Sequence, residues 1–434
     1  MTHLLLVSLN YAPEPTGIGP YSAGVASHLA AQGYEVSAIT GLPHYPAWRV
    51  GPAYARGARR RERIDGVAVH RSSHYVPRRQ SAVRRALYEL SSLSMLAPLR
   101  NIPRPDAVLG ITPSLSGAVV ARLAAMRFDA PYGVVFHDLA GHAGQSGMRG
   151  AGVAAVAARG LERLAVARAA AVGIVAEGFR PYVEALGVEP VRVRRLRNWA
   201  RISPPAVARG EMRRRLGWPD DAFCVVHTGN MGYKQALETV LLAARETAGS
   251  RDMLFALCGD GSQRAALVRQ ARALALDNVR FVPLVSEAAY SSLLAAADVL
   301  LVHQRASVRE MALPSKLASY FVAGRPVLAA AARGSETARE VQASGGGIVI
   351  APEDPRALLD GLRRLQADPA LRDWLADRGR TYAEKTLSPA AALRGYEQFV
   401  AAILAATGRG RVHHAGRAPV GQLGGSLHDE RRAA

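Results

Sequence analysis

Short apolar runs alternate with longer amphipathic segments along almost the whole chain. Twelve runs have the length of buried strands, and most are continuous rather than alternating, as in "HLLLVSL", "YGVVFHD", "AFCVVHTG" and "ADVLLVH". Continuous apolar runs are typical of parallel sheets covered on both faces. Ala-, Leu- and Arg-rich segments with helical periodicity separate them. The pattern therefore predicts an α/β protein built from doubly wound parallel sheets.

The length of the chain favours two domains. With 434 residues and 49% apolar content, the sequence can fill two cores. A junction is predicted in "RNWARISPPAVARGEM", where two prolines follow a strand. We expect one domain over residues 1–200 and a second over 201–389, with a helix at about 390–406 crossing back to the first. Residues 408–434 lack periodicity and are predicted to be a disordered basic tail.

No segment is predicted to cross a membrane. The long apolar stretch "VAAVAARGLERLAVARAAAVGIV" is interrupted by arginines and a glutamate. The sequence begins directly with a strand pattern and shows no signal peptide. Cys224 and Cys258 each lie in an apolar run and are expected to be buried and reduced. These features predict a cytoplasmic protein.

Arginine is the default cation of this chain, which makes each lysine informative. The formal net charge is +20, yet only three lysines occur, Lys234, Lys316 and Lys385. Lys234 and Lys316 stand in loops marked by glycine or proline. Their placement has two explanations: chance, or a need for a compact ammonium rather than a guanidinium fork.

The interval 49–104 is strongly basic, with 13 arginines against three acids. Within "SAVRRALYELSSLSMLAPL" a single helical stripe is predicted, formed by Val83, Ala86, Leu87, Leu90, Leu93 and Ala97. An ordinary helix packed on the domain would show the same stripe. Alternatively, residues 78–100 form a basic amphipathic surface for an anionic membrane, with Arg78, Arg79, Arg84, Arg85 and Arg100. Nucleic acid is disfavoured as a partner, because no aromatic stacking platform or helix-turn-helix pattern accompanies the charge.

Two loops of the first half follow strands, where open α/β sheets bind their ligands. The loop "NYAPEPTGIGPY" carries Gly17 and Gly19, which would let backbone amides approach a ligand closely. Tight turns need glycine as well, so this signal alone is weak. His137 and Asp138 follow "YGVVF" at the end of another strand, where a histidine is either a packed residue or a catalytic one.

Two loops of the second half resemble phosphate cradles. In "HTGNMGYKQALE" a strand ends in Gly229, Asn230 and Gly232, and Lys234 is predicted to open a helix. In "EMALPSKLASYF" Pro314 is predicted to begin a helix, which puts Ser315 and Lys316 in its first turn. Free amides and the helix dipole there attract phosphate. Neither spacing is that of a P-loop, but together the two loops fit a diphosphate.

The sequence points to no metal and no cofactor. No cluster of His, Cys, Asp or Glu has the spacing of metal ligands, and no GxSxG elbow occurs. We therefore expect protein groups alone to neutralise the charge of a leaving group.

The ordered set "NYAPEPTGIGPYSAGVASHLAAQGYEV", "FHD", "HTGNMGYKQALETVLLAA", "GDGSQRAAL" and "PSKLASYFVAGRPVLA" resembles the family-4 retaining glycosyltransferases, in the branch that builds colanic-acid-type exopolysaccharides. The resemblance covers roughly residues 1–400. It implies a GT-B fold, in which two Rossmann-like domains face each other across a cleft. It also implies that a nucleoside diphosphate sugar binds mainly to the C-terminal domain and the acceptor mainly to the N-terminal one.

The resemblance assigns roles to several residues. His137 matches the family histidine near the donor sugar, and Lys234 matches the phosphate-binding lysine. Gly17 and Gly19 would lie near the diphosphate. Many relatives carry two glutamates where this chain has Met311 and Ser319, with Glu310 one position off, and an arginine where it has Asn230. These departures resemble a "PSK" branch, in which Ser315 and Lys316 take over phosphate contacts.

Three functions remain open on the sequence alone. The leading hypothesis is retaining transfer of a sugar from a nucleotide sugar to a lipid-linked glycan at the inner membrane surface. A GT-B-fold sugar-nucleotide epimerase would process the same donor without an acceptor, which leaves the basic amphipathic segment unexplained. A non-catalytic nucleotide-sugar-binding protein would explain the missing glutamates but not the retained His137, Lys234 and Lys316.

Overall fold

Two parallel sheets, one in each half of the chain, organise the protein. The computed structural model describes residues 1–55, 60–79, 81–112, 114–139, 151–250, 252–308 and 315–406. Each sheet is covered by helices on both faces. The predicted α/β class is therefore confirmed, and the predicted tail at 408–434 lies outside the described residues.

The first sheet has eight strands in the order β3-β4-β2-β1-β5-β6-β7-β8. All its neighbouring strands run parallel except β3, which pairs antiparallel with β4. The strands are β1 His3–Val7, β2 Glu35–Gly41, β3 Arg61–Ile64, β4 Val67–Ser72, β5 Ala107–Thr112, β6 Tyr132–Phe136, β7 Ala171–Ile174 and β8 Val193–Arg195.

The second sheet has six parallel strands in the order β11-β10-β9-β12-β13-β14. They are β9 Phe223–Thr228, β10 Met253–Cys258, β11 Val279–Val282, β12 Val299–His303, β13 Val327–Ala330 and β14 Gly347–Ile350. The chain order reverses between β9 and β12, which is the kind of switch point where open sheets bind ligands.

Helices connect the strands of both sheets. Those of the first half are α1 Gly19–Ala31, α2 Pro52–Ala55, α3 Ala82–Ser91, α4 Leu115–Phe128, α5 Ala151–Val166 and α6 Arg180–Ala185. Those of the second half are α7 Arg209–Leu216, α8 Glu238–Arg245, α9 Arg264–Ala273, α10 Glu287–Ala295, α11 Ser315–Val322, α12 Glu336–Ser344, α13 Pro355–Ala367, α14 Pro369–Thr386 and α15 Pro389–Ala405.

The continuous apolar runs are explained by burial on two sides. In β1 the side chains of Leu5 and Val7 enter one core cluster, while those of Leu4 and Leu6 enter another on the opposite face. In the second sheet, the side chains of the strands likewise point alternately into two core clusters, one on each face. A strand sandwiched between helix layers has no solvent face, so it needs no polar alternation.

Strand β3 was not predicted from the sequence. Its four residues, "RERI", read as part of a basic surface segment. The β3–β4 hairpin turns through Asp65 and Gly66, whose φ angles are +45° and +83°. Asp-Gly is a strong signal for a two-residue hairpin turn, and it was present in the sequence.

The predicted apolar stripe holds only as far as the end of α3. Val83, Leu87 and Leu90 lie on one face and are 71%, 49% and 64% exposed. At Ser92 the helix tightens into a 3₁₀ helix that runs to Asn101. The repeat changes from 3.6 to 3 residues per turn, so Leu93 leaves the stripe and packs against the core. The prediction of one continuous stripe through Leu93 and Ala97 is wrong for that reason.

Helix α15 comes from the end of the described chain but packs on the first sheet. Ser388 caps its N-terminus by accepting from the backbone N–H of Ala391, and Pro389 occupies the first turn. Phe399 and Ile403 lie over β6 at Gly133, where a Cβ atom would come within 2.9 and 2.5 Å of their side chains. Glycine at this strand position therefore allows the helix to approach.

An ionic cluster joins the two domains on the side of β8. The Glu336 carboxylate, at the start of α12, accepts from the backbone N–H groups of Glu177 and Gly178, both at 3.1 Å. Arg195 on β8 donates to Glu336 at 3.1 Å and to Glu340 at 2.9 Å. Both glutamates are almost fully buried. Because removing one partner would leave a buried charge unpaired, this cluster fixes how the domains meet.

Candidate functional site

A cavity of about 710 Å³ lies in the cleft between the two domains. Its first-domain wall includes Gly17 and Tyr21, and its second-domain wall includes Gly229, Asn230 and Lys316. Pockets for drug-sized ligands typically measure about 300–1,000 Å³. The cavity is therefore large enough for a ligand such as a nucleotide, and it brings together four of the residues singled out from the sequence.

The loop between β1 and α1 is braced rather than flexible. The buried Glu14 carboxylate accepts from the backbone N–H groups of His44 and Tyr45, at 2.9 and 3.0 Å. Gly19 does not line the cleft cavity; a Cβ there would lie 3.0 Å from the Cβ of Glu14. Gly17 has φ +73°, a conformation that favours glycine. A Cβ at this position would lie 3.0 Å from the Tyr45 ring, so a larger residue would be strained in its backbone and would also clash.

Lys316 lies in the first turn of α11, partly buried at the switch point of the second sheet. Its Nζ is 3.8 Å from where a Cβ would sit on Gly229, whose φ is +97°. Burial lowers the pKa of Lys316 to about 7. A partly desolvated ammonium beside a glycine turn is an anion-binding arrangement, because an incoming phosphate restores the interactions that burial removed.

His227 is a neighbour of Lys316 that the sequence analysis did not single out. It lies on β9 and is fully buried, and burial together with the Lys316 charge holds its pKa well below the usual value. A signal was present in "VVHTGNMG", where a histidine interrupts a buried strand two positions before the glycine turn. Such a histidine needs partners inside the protein.

Lys234 is placed differently from the prediction. It does not open an α-helix: it lies in a single 3₁₀ turn, Tyr233–Gln235, and α8 begins only at Glu238. The side-chain oxygen of Gln235 accepts from the backbone N–H of Gly232 at 3.0 Å, which tightens the chain into that turn. Lys234 is exposed and does not line the cleft cavity. Its role in phosphate binding stays a prediction.

His137 follows β6 as predicted, but its ring faces inward. Its Nδ1 lies 3.4 Å from Asn198 Nδ2, and its Nε2 lies 3.5 Å from the Tyr396 hydroxyl. Burial lowers its pKa to about 3, so the ring is neutral at physiological pH. Tyr21, whose ring centroid lies 6.4 Å from that of His137, lines the cleft cavity, whereas His137 does not. Asp138 is exposed and borders a second, smaller cavity of the first domain.

The remaining residues considered in the sequence lie in α11 or in the segment before it. Pro314 and Glu310 lie outside the described residues, as does Met311. Ser315 is the first residue of α11 within the described chain, so it and Lys316 lie in the first turn, as predicted. Ser319, one turn later on the same helix, lines the cleft cavity.

Within the described residues, no group of three or more His, Cys, Asp or Glu side chains is arranged to hold a metal ion. In the same part of the chain, no helix is long and apolar enough to span a bilayer. The cations nearest the cavity are side chains of the protein, Lys316 and Arg201.

Comparison with known proteins gives the family. Residues 16–199 match the model of a glycosyl transferase 4-like domain, and residues 208–382 match that of glycosyl transferases group 1. The colanic acid biosynthesis glycosyl transferase WcaI of Escherichia coli (strain K12) is 32% identical over 406 residues, which cover 91% of this chain and 98% of WcaI.

Solved structures show the same fold at low identity. Sucrose-phosphate synthase from Thermosynechococcus elongatus has a TM-score of 0.69 and 19% identity, covering 94% of this chain and all of that one. Anabaena Alr3699/HepE in complex with UDP has a TM-score of 0.67 and 15% identity, covering 92% and 99%. The expected GT-B fold is thereby confirmed, and the chain belongs to the family-4 type of glycosyltransferases, with a 4-like domain followed by a group 1 domain.

Proposed function

We propose that this glycosyltransferase moves a sugar, with retention, from a nucleoside diphosphate sugar to a lipid-linked glycan in exopolysaccharide biosynthesis. The observation that carries the proposal is the cleft cavity, which has Lys316 and the Gly229 turn on one wall and the Gly17 loop on the other. Anabaena Alr3699/HepE was solved with UDP-glucose, which supports a donor of this class. The likeness to WcaI supports a role in polysaccharide assembly.

Lys316 supplies the main electrostatic contribution to the reaction in this proposal. When the bond between the sugar and the diphosphate breaks, negative charge develops on the leaving oxygen. The Lys316 ammonium is already fixed beside the Gly229–Asn230 turn that lines the cavity, so little reorganisation is needed. Preorganised charge of this kind is usually the largest single contribution to catalysis. It also lets the enzyme work without a divalent metal.

His137 acts as a neutral group at the sugar end of the cleft. A ring with a pKa of about 3 cannot serve as a general acid near neutrality. In the proposal it hydrogen bonds to a sugar hydroxyl after donor binding displaces Tyr21, the cavity residue whose ring centroid lies 6.4 Å from that of His137. Lys234, exposed on its 3₁₀ turn, would reach the diphosphate only after the turn rearranges around bound donor.

The proposal includes a peripheral contact between helix α3 and the cytoplasmic side of the inner membrane. Its apolar face, Val83, Leu87 and Leu90, is exposed rather than packed on the domain. Arg78, Arg79, Arg84 and Arg100 are exposed beside it. An apolar stripe flanked by arginines fits an interface with anionic lipid better than it fits bulk water.

A panel of UDP-, GDP- and TDP-sugars tests the proposal. We expect slow hydrolysis of one donor without acceptor, and transfer when lipid-linked glycan extract is added, with the anomeric configuration of the donor retained. Epimerisation of the donor would instead identify an epimerase. Binding with no turnover in the presence of the glycan extract would identify a non-catalytic protein. An inverted product would overturn retention alone.

A further inference from the structure

A basic cavity of about 390 Å³ opens at the edge of the first sheet. The edge strand β3 and its partner β4 supply one wall, and the 3₁₀ helix Ser92–Asn101 supplies another. Arg60, Arg61 and His70 line it on the strand side. No carboxylate occurs among the described residues of its lining, and none of those residues also lines the cleft cavity. The basic cavity therefore has the charge of an anion site and is separate from the cleft.

The alternation of side chains along β3 directs positive charge toward this cavity. Arg61 pairs across the hairpin with His70, so these two side chains lie on the same face of the sheet. Glu62, the only acid in the strand, points to the opposite face and accepts from Arg71. The charge of Arg71 is thereby paired, whereas Arg60 and Arg61 are exposed and available to a ligand.

His70 reports the excess of positive charge. Its pKa is lowered, first by burial and then by the charge of Arg61. Its Nδ1 is buried and has no hydrogen-bond partner among the described residues. Protection of a sheet edge against pairing with another chain can use charge of either sign. The segregation of Glu62 from the arginines onto the other face therefore favours an anionic ligand, which would offset the charge of Arg61.

The remaining polar lining of the basic cavity is uncharged. It includes Ser73, Ser94 and Asn101. The Ser94 hydroxyl donates to the carbonyl of Ser73 at 2.7 Å, and its oxygen can still accept. Hydroxyl and amide groups beside two arginines match a phosphate that carries a hydroxylated group. They do not match a phosphate that carries an ammonium group, because the arginines would repel it.

One helical segment connects this cavity to the exposed apolar face of α3. That face ends at Leu90, and Ser94, the first residue of the segment in the cavity lining, follows four positions later. At 1.5–2 Å per residue, Leu90 and Ala97 are separated by roughly 10–14 Å along the helix axis. One leaflet of a bilayer is about 20 Å thick, so a single phospholipid is long enough to contact both.

We propose that the basic cavity binds the headgroup of a phospholipid whose phosphodiester carries an uncharged, hydroxylated group, as in phosphatidylglycerol. The phosphate contacts Arg60 and Arg61, and the headgroup hydroxyls face Ser73 and Asn101. This inference rests on the membrane contact in the proposed function and names the lipid class that this contact selects. Attachment then depends on the chemistry of the lipid as well as on the charge of the surface.

Vesicles of matched charge test this selectivity. Phosphatidylglycerol and phosphatidylserine carry the same net charge, so equal mole fractions in phosphatidylcholine give nearly equal surface potentials. We expect co-sedimentation to show about tenfold tighter binding to phosphatidylglycerol, the effect of one hydrogen bond to a charged group. Equal affinity for the two vesicles would overturn the proposal, because surface charge alone would then explain attachment. Failure to bind either vesicle would overturn it as well.

Variants locate the selectivity. Arg60→Gln combined with Arg61→Gln should lower the affinity for phosphatidylglycerol vesicles to that for phosphatidylserine vesicles. Arg127→Gln combined with Arg168→Gln is the matched control, since it removes two exposed arginines of the first domain outside the cavity and should keep the preference. All four side chains are exposed, so an unchanged melting temperature and UDP affinity verify the fold. If the Arg60 and Arg61 variant keeps the preference, these arginines only protect the sheet edge and the proposal fails.

Soluble competitors separate a lipid site from a site for free phosphate. Glycerophosphoglycerol, the deacylated headgroup, should displace the wild type from phosphatidylglycerol vesicles more strongly than inorganic phosphate does at the same ionic strength. Equal displacement by the two would assign the cavity to free phosphate and overturn the lipid assignment.

The two proposals fail in different ways. Sugar transfer has its own measurement in the donor panel, so loss of the lipid preference would leave the glycosyltransfer standing. Absence of transfer by a protein that still prefers phosphatidylglycerol would overturn the proposed function and leave the headgroup site standing.

Discussion

The Nζ of Lys316 lies 3.3 Å from Nε2 of His227. The His227 Nδ1 lies 3.3 Å from the carbonyl of Leu301, which can only accept. A ring protonated at Nδ1 satisfies both contacts, since its Nε2 lone pair then accepts from Lys316. The histidine thereby fixes the direction of the lysine without neutralising its charge, and the cation stays available to a ligand.

The affinity for UDP should fall as the pH rises above neutrality. The free Lys316 has a pKa of about 7, and a bound diphosphate favours its charged form. Binding above this pH therefore requires uptake of a proton, and the affinity should drop about fivefold between pH 7 and about pH 8. Titration calorimetry in buffers of different ionisation enthalpy measures this uptake directly.

Four of the described groups near Lys316 have pKa values shifted away from this window. The pKa values of His227 and His303 are lowered by burial, and those of Tyr290 and Tyr320 are raised by burial. Lys316→Ala should abolish the pH dependence. A variant that keeps the wild-type slope would assign the proton to another group.

Loss of Lys316 should reduce turnover far more than stability. Lys316→Ala is expected to lower kcat about 100- to 1,000-fold at saturating donor, since it removes preorganised charge at the leaving diphosphate. The control is Lys385→Ala, which removes an exposed lysine near the end of α14. Turnover close to wild type in Lys316→Ala would exclude this lysine from the mechanism.

Transfer should continue in excess EDTA. In the proposed mechanism the Lys316 ammonium beside the Gly229 turn neutralises the charge that develops on the diphosphate, so a divalent cation is not required. The measurement is the initial rate with and without chelator, using protein dialysed against EDTA. Complete loss of activity that magnesium or manganese restores would contradict this prediction.

The enzyme should sediment with anionic liposomes and be released by salt. Each arginine near an anionic surface contributes about 1 kcal/mol, and salt screens this attraction. Replacing Val83, Leu87 and Leu90 by Ser should lower the bound fraction at low salt, while UDP affinity stays unchanged. Val191→Ser, which removes another exposed apolar side chain of the same domain, provides the control. Unchanged sedimentation of the triple variant would place the membrane contact elsewhere.

The sequence predicted the architecture well because the sheets are buried on both faces. Every residue of a run such as "LLLV" in β1 lies in an apolar environment, so the run indicates a buried strand unambiguously. The charged strand β3 shows the converse. Its residues "RERI" lie at a sheet edge, where one face and one edge meet solvent, and only the following Asp-Gly turn marked it.

The site was less predictable because side-chain direction is a tertiary property. Lys316 was found because Pro, Ser and Lys at a helix start carry a local phosphate-binding signal. The turn around Lys234 depends on Gln235 folding back onto Gly232, which no spacing rule specifies. His227 was not predicted because its role depends on its contact with Lys316, which lies 89 positions further along the chain. Likewise, the exposure of Leu87 depends on how α3 sits on its domain.

Helix α15 ties the first domain to a segment that is synthesised only after the whole second sheet. The sheet surface over Gly133 is covered by Phe399 and Ile403, so the first 200 residues cannot close their core alone. At translation rates of about 5–20 residues per second, that surface stays open for about 10–40 s after its strands emerge. A ribosome-bound nascent chain therefore exposes an apolar face during this interval. An isolated first domain would need residues 389–405 joined to residues 1–200.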